Sequence, residues 1–188
     1  MKIAVIGTHS TGKTTLLKKM SVALEEFGER VIILPEMARL CPMPINEETT
    51  LAAQQWILER QIEQEKRIRD DHTIVLCDRA TIDNYAYFLR ASWKTRHNLD
   101  MARFEKMAVE HMPSYDLVIK TRKLSLASKA DGERSVNEYF RDEIDELISA
   151  LLKKYNISYF LLPPTIDYDV HVQLIKERLN KVLSIVNA

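Results

Sequence analysis

Glycine and cysteine are both scarce here, with four and two residues respectively in a chain of 188. Cys41 and Cys77 have no second cysteine or histidine at ligand spacing beside them, which argues against a thiolate metal site or a disulfide framework. A loop thiol and a buried strand thiol are expected instead. Excess charge is also missing: 27 Lys and Arg balance 27 Asp and Glu, so no overall positive field exists to hold a polyanion, and nucleic acid is not an expected partner. No window approaches the roughly 20 apolar residues that a membrane helix requires. The opening MKIAVIG is too short an apolar run for the central region of a signal peptide. A soluble cytoplasmic protein without a membrane span is the expectation. The length suits one well-buried core, and repeats, low-complexity tracts and composition breaks are lacking, so residues 1–188 are expected to form a single domain.

What is present is alternation. Short apolar runs stand at 3–6 (IAVI), 31–34 (VIIL), 73–77 (TIVLC), 116–120 (DLVIK) and 158–162 (SYFLL). Uninterrupted Ile, Val and Leu over such lengths predict parallel strands covered on both faces. Helical patterns fall between them, at about 13–27, 47–70, 81–91, 99–111, 137–154 and 169–185. Strand and helix alternating along the chain predict an α/β doubly wound fold. The few glycines fall where the backbone must turn: Gly7 and Gly12 in the first loop, Gly28 as the stop of the first helix, Gly132 in a D-G turn.

The first loop carries the strongest motif. Gly7 and Gly12, with four residues between them and followed by Lys13 and Thr14, match G-x-x-x-x-G-K-[ST] between an apolar strand and an amphipathic helix. Backbone N–H groups of Gly7, Thr8, His9, Ser10, Thr11, Gly12, Lys13, Thr14 and Thr15 are expected to surround a nucleotide phosphate. The helix start directs its positive end at the anion, Lys13 reaches the outer phosphate oxygens, and the Thr14 hydroxyl holds Mg²⁺. For His9 two readings stand, phosphate contact and an exposed loop filler. The third run delivers Asp78 to the carboxyl edge of the sheet, where it can orient the metal or its waters. Arg79 follows at once, an arrangement of small-molecule kinases rather than of GTPases or motor ATPases. A surface salt-bridge arginine is the plainer reading.

Taken with PEMAR (35–39), DRATIDNYAY (78–87) and DGERSVNEYFRDEIDELI (131–148), the loop makes the chain resemble a known group. It is similar to the small P-loop ATPase/kinase family related to the nicotinamide-riboside kinase domain of bifunctional NAD-synthesis regulators. More distantly, it resembles deoxynucleoside and thymidylate kinases. The resemblance implies a three-layer P-loop kinase-like fold: a five-stranded parallel sheet in the order 2-3-1-4-5 with helices on both faces. It implies an ATP-dependent kinase acting with Mg²⁺ on a small nucleoside- or nucleotide-like acceptor. Glu36 matches the family's glutamate that faces the acceptor hydroxyl, with an ion pair to Arg39 as the alternative, and Arg39 is itself expected among the substrate-binding residues. Arg79 and Asp83 match substrate-side positions. Thr81 is read as the cap of the following helix, with Asp83 in its first turn, where the helix dipole favours an acid.

A lid is expected at about 125–141, with Ser135 and Glu138 forming a capping box and starting a helix near Val136. It would bring Arg134 to the transferring phosphate. Arg141, two turns along, is either a second such arginine or a helix-surface ion pair, and Arg122 is a weaker third candidate. On the helix 47–70, Gln55 is placed on the apolar stripe of Leu51, Leu58 and Ile62, where relatives put a glutamine near the acceptor's base. Trp56, Trp93, Tyr85, Tyr87 and Phe88 can stack on an acceptor or pack the core. After the fourth strand IKTRKLS replaces the guanine-reading N-K-x-D, which favours ATP over GTP. The competing function is a regulatory ATP- or GTP-binding switch that acts on a protein or lipid partner. Homodimerisation stays open.

Overall fold

Five parallel strands in the order β2-β3-β1-β4-β5 build the central sheet of the computed structural model, which describes residues 1–68, 70, 72–93, 101–123 and 137–186. The strands are β1 (Lys2–Ile6), β2 (Arg30–Leu34), β3 (Thr73–Asp78), β4 (Leu117–Lys120) and β5 (Phe160–Leu161). The helices are α1 (Lys13–Glu25), α2 (Leu51–Arg67), α3 (Thr81–Ser92), α4 (Met101–His111), α5 (Glu138–Lys154) and α6 (Tyr168–Val186).

Side chains alternate across a strand, and β1 divides the core accordingly. Ile3 and Val5 pack with Leu16, Leu17 and Met20 of α1 and Ile175 and Leu179 of α6. Ala4 and Ile6 face the opposite layer, with Leu58 of α2, Ile82 and Ala86 of α3, Phe104 of α4, and Phe140 and Ile144 of α5. Three layers result, as the resemblance implies. In register, β1 lies between β3 and β4, with Val5 opposite both Asp78 and Ile119. The loop after Ile6 and the turn after Asp78 therefore leave the same sheet edge side by side.

Several boundaries differ from expectation for local reasons. The edge strand β2 has solvent-facing positions instead of two covered faces, and β5 is only two residues long. α2 starts at Leu51 because the Thr50 hydroxyl accepts a hydrogen bond from Ala53 N at 3.1 Å. α5 starts at Glu138 because Asn137 Oδ1 accepts from Tyr139 N and Phe140 N, at 3.0 and 3.2 Å. Asn137, not Ser135, is its cap, and Ser135 lies outside the described residues. Ala80, not Thr81, occupies the cap position of α3; Thr81 is buried and its hydroxyl donates to Ala108 O at 2.6 Å. Gly28, at φ +85°, closes α1 as expected, its N–H bonded to Glu25 O at 2.9 Å.

Candidate active site

The loop after β1 is held from behind so that its backbone faces outward. Gly7 sits at φ +135°, and a Cβ there would lie 2.5 Å from Thr121 Oγ1, so only glycine fits. The Thr8 hydroxyl donates to Arg141 O at 2.9 Å, and Thr11 Oγ1 lies 3.1 Å from Thr8 O and 2.7 Å from Thr121 Oγ1. Gly12, at φ +79°, forms the N-cap of α1. The Thr8 and Thr11 hydroxyls are thus spent on the protein, which leaves backbone N–H groups and the helix end for an anion. Lys13 is buried and folds back, Nζ donating to Thr8 O at 2.6 Å. Burial first, then Arg79, brings its pKa down to about 8 against the pull of Asp78, Glu36 and Asp83. Thr15 points to solvent.

Beside the loop, Thr14 Oγ1 donates to Asp78 Oδ2 at 2.6 Å, while Asp78 Oδ1 is buried without a partner. A hydroxyl next to a carboxylate oxygen with free lone pairs is a hard donor set that fits Mg²⁺, whose other positions waters and phosphate oxygens commonly fill. Among the described residues no cluster of three or more His, Cys, Asp or Glu side chains offers an all-protein metal cage. The residues present suit a nucleotide-borne ion.

Arg79 occupies the left-handed region at φ +93°, a conformation costing about 1–3 kcal/mol for a side-chain-bearing residue. Its guanidinium is buried and fully engaged. Nε donates to Glu36 Oε1 at 2.6 Å, Nη1 to Gly7 O at 3.2 Å and Nη2 to the Tyr87 hydroxyl at 3.3 Å, with the Tyr87 ring centroid 4.9 Å away. Burial alone would raise the pKa of Glu36, but Arg79, Lys13 and Arg39 outweigh it and hold the carboxyl at about 2. Arg39 Nε lies 3.4 Å from Glu36 Oε2, so the expected local pair exists as well. Glu36, Arg39, Gln54, Ile57, Arg79 and Asn84 line one cleft with the phosphate loop. That cleft extends from the loop to Gln54, Ile57 and Asn84.

Four sequence expectations require correction. Gln55 is exposed and its amide donates to Glu59 Oε1 at 2.9 Å; the inward glutamine is Gln54, which donates to Thr49 Oγ1 at 2.8 Å. The buried stripe of α2 is Leu51, Gln54, Leu58, Gln61 and Glu65, and its three-then-four spacing selects position 54 over 55. Asp83 does not face the cleft: its carboxylate accepts from Gly7 N and Ala80 N, both at 3.0 Å, and clasps the loop from beneath. Burial raises its pKa, against Arg79 and these two N–H donors. His9 is buried, not exposed, with Nδ1 3.3 Å from the Tyr87 hydroxyl. Arg141 is buried beneath the loop, donating to Ser10 O at 3.2 Å while also pairing with Glu138. It braces the cradle instead of riding on a lid.

Arg134 and most of the segment 125–141 lie outside the described residues. Arg122 bonds Leu162 O at 3.2 Å. Phe88 stacks on Phe104 with centroids 3.7 Å apart, and Tyr85 packs against both, so these aromatics belong to the core; Tyr87 alone of the three reaches the cleft. Trp93 is exposed. Asn84 was missed by sequence reasoning, although its place one turn past Arg79 on a helix leaving the ligand edge was an available signal.

A parallel sheet with this cradle at its carboxyl edge defines a P-loop protein of the kinase fold. The chain belongs to the family described as AAA domain, whose model matches residues 2–168. Among solved structures it is similar to deoxyadenosine kinase from M. mycoides with the products dCMP and dCDP, at 18% identity and TM-score 0.62, over 97% of this chain and 100% of that one. It is also similar to NadR protein in complex with NR, at 19% identity and TM-score 0.71, over 94% of this chain and 50% of that one. NadR protein in complex with NAD and AMP-PNP aligns at 18% identity and TM-score 0.66, with 94% and 48% covered. No curated protein matches the sequence.

Proposed function

We propose that the protein is a kinase that transfers the terminal phosphate of Mg-ATP to a hydroxyl of a nucleoside- or nucleotide-like acceptor. The observation that carries this reading is the Arg79–Glu36 pair, set at 2.6 Å in the wall of a cleft continuous with the phosphate loop. A nucleotide switch needs the cradle but no such acceptor compartment. The similarity to deoxyadenosine kinase and to NadR protein supports the choice of acceptor class.

In this reading the loop N–H groups and the start of α1 bind the phosphates, and Lys13 exchanges Thr8 O for a phosphate oxygen. Thr14 and Asp78 would hold Mg²⁺, which when bound would supply charge neutralisation for the phosphates. Glu36 is ionised throughout the physiological range and accepts a hydrogen bond from the acceptor hydroxyl, orienting its oxygen for in-line attack. With a pKa of about 2 it is a weak base, so it takes the proton only when transfer is well advanced. Arg79 keeps Glu36 in place and supplies positive charge beside the transferring group. Arg134 is assigned to the same charge from the lid segment.

The test is acceptor-dependent release of ADP from ATP across a panel of nucleosides and nucleotides that includes nicotinamide riboside. Turnover that rises at least tenfold above the acceptor-free rate with one member is the expected result. Rates that never leave the background, together with a partner whose affinity differs between ADP and ATP states, would replace the kinase by a switch.

A further inference from the structure

The phosphate loop contains a side chain that generic P-loop chemistry does not use. His9 lines the cleft, is 4% exposed, and has an Nε2 atom buried without any hydrogen-bond partner. Its other nitrogen belongs to a chain whose direction is fixed. Arg79 Nη2 can only donate, so the Tyr87 oxygen, 3.3 Å away, accepts from it. Among the described residues the one further partner of Tyr87 is His9 Nδ1, also at 3.3 Å, so the hydroxyl proton points there. A neutral ring accepting at Nδ1 carries its hydrogen on Nε2.

The ring also stays neutral. Burial first, then Arg79, Lys13 and Arg141, bring its pKa down to about 3 with only Glu36 opposing. Phe140 packs against the ring at 5.6 Å between centroids and limits its reorientation. An N–H that is desolvated, lacks a partner and sits among the cations that await a phosphate has one fitting ligand, a phosphate oxygen. Leaving such a donor unsatisfied is costly, and a ligand oxygen would recover that loss.

We propose that His9 is a catalytic hydrogen-bond donor: its neutral imidazole, set as the Nε2–H tautomer by Arg79 acting through Tyr87, donates to an oxygen of the terminal phosphoryl group of the bound nucleotide. The inference deepens the kinase reading and rests on it for the word catalytic. His9 is then neither a base nor a charge clamp; it is an uncharged donor that strengthens as negative charge grows on the equatorial oxygens.

Nitrogen-15 NMR of the histidine side chains tests this in the intact protein, free, with Mg-ADP, and with the Mg complex of the imido analogue of ATP. The expected result is a protonated Nε2 and an unprotonated Nδ1 on His9 in the free protein. The Nε2–H signal should shift with the imido analogue and stay near its free position with ADP. A proton on Nδ1, a cationic ring at pH 6, or equal responses to both nucleotides would overturn the proposal. In parallel, His9→Phe keeps a flat ring without the N–H and should lower phosphoryl transfer about 100-fold while changing ADP affinity less than about threefold; an unchanged transfer rate would also overturn it. If His9→Phe fails to fold, Tyr87→Phe decides, because losing the hydroxyl should produce a mixture of His9 tautomers, whereas a purely packing role predicts no tautomer change. Should the wild type phosphorylate no acceptor while the nucleotide-specific shift persists, the kinase reading fails and the donor assignment stands.

Discussion

Arg79 illustrates how much one residue carries. Its backbone is held at φ +93°, and Gln61 Nε2 donates to its carbonyl at 3.0 Å, so the strain is met by a buried hydrogen bond. Lysine cannot make the separate Nε and Nη contacts that reach Glu36, Gly7 O and Tyr87 together. Arg79→Lys should therefore lower kcat about 100-fold or more while ADP affinity changes little, as read from steady-state kinetics beside ADP titration. The glycines allow a second comparison at this scale. Gly12 and Gly28 share positive φ, but a Cβ at Gly12 would collide with the Tyr168 hydroxyl, whereas at Gly28 it would meet nothing. Gly28→Ala should cost about 1–2 kcal/mol in chemical denaturation, from backbone strain alone. Gly12→Ala should cost more and also abolish ATP binding in a titration.

Among the elements, α2 is unusual because its buried face is partly polar. Glu65 accepts from Gln61 Nε2 at 2.9 Å, the Tyr115 hydroxyl at 2.8 Å and Lys2 Nζ at 3.0 Å, with His111 Nε2 at 2.7 Å. Gln61 Oε1 in turn accepts from Asn84 Nδ2 at 2.7 Å, which links this network to the cleft wall. Burial would raise the pKa of Glu65, but the bonds from His111, Gln61 and Lys2 prevail and lower it below the ordinary 4.5. A carboxylate whose folded pKa is depressed stabilises the fold above its unfolded value, and the gain is lost as pH falls through the folded value. Stability should accordingly decline below about pH 4.5, and Glu65→Gln should flatten that acid limb while destabilising the protein at pH 7 by about 3 kcal/mol, as measured by urea denaturation from pH 3 to 7. At the start of α5, Asn137→Ala should cost about 1 kcal/mol, because two backbone N–H groups lose their cap.

For the whole molecule, the nucleotide is expected to bridge two neighbouring strands at the middle of the sheet, β1 with its loop and β3 with the Asp78–Arg79 turn after it. Ligand binding to the native state alone raises stability by about 2.7 kcal/mol at one hundred times the dissociation constant. Saturating Mg-ATP should raise the melting temperature by several degrees. Chelating the metal should remove much of that gain in wild type and little in Asp78→Asn, because the unpartnered Oδ1 is the carboxylate oxygen available to the ion or its water.

The sequence by itself determined the strand and helix series, the phosphate loop and the closing glycine of α1. These depend on local matters: side-chain alternation, helical period and backbone freedom at Gly7, Gly12 and Gly28. The sheet order came through family resemblance, since periodicity does not say which strands are neighbours. Tertiary structure alone decided which polar groups meet. Glu36 and Arg79 are 43 residues apart, Gly7 and Asp83 are 76 apart, and Thr8 and Arg141 are 133 apart. The burial of His9 and the turning of Asp83 toward the loop follow from such long-range contacts, whereas the three-then-four spacing of α2 already separates Gln54 from Gln55. A side chain's partner depends on the packing of distant segments, which a local pattern along the chain does not encode.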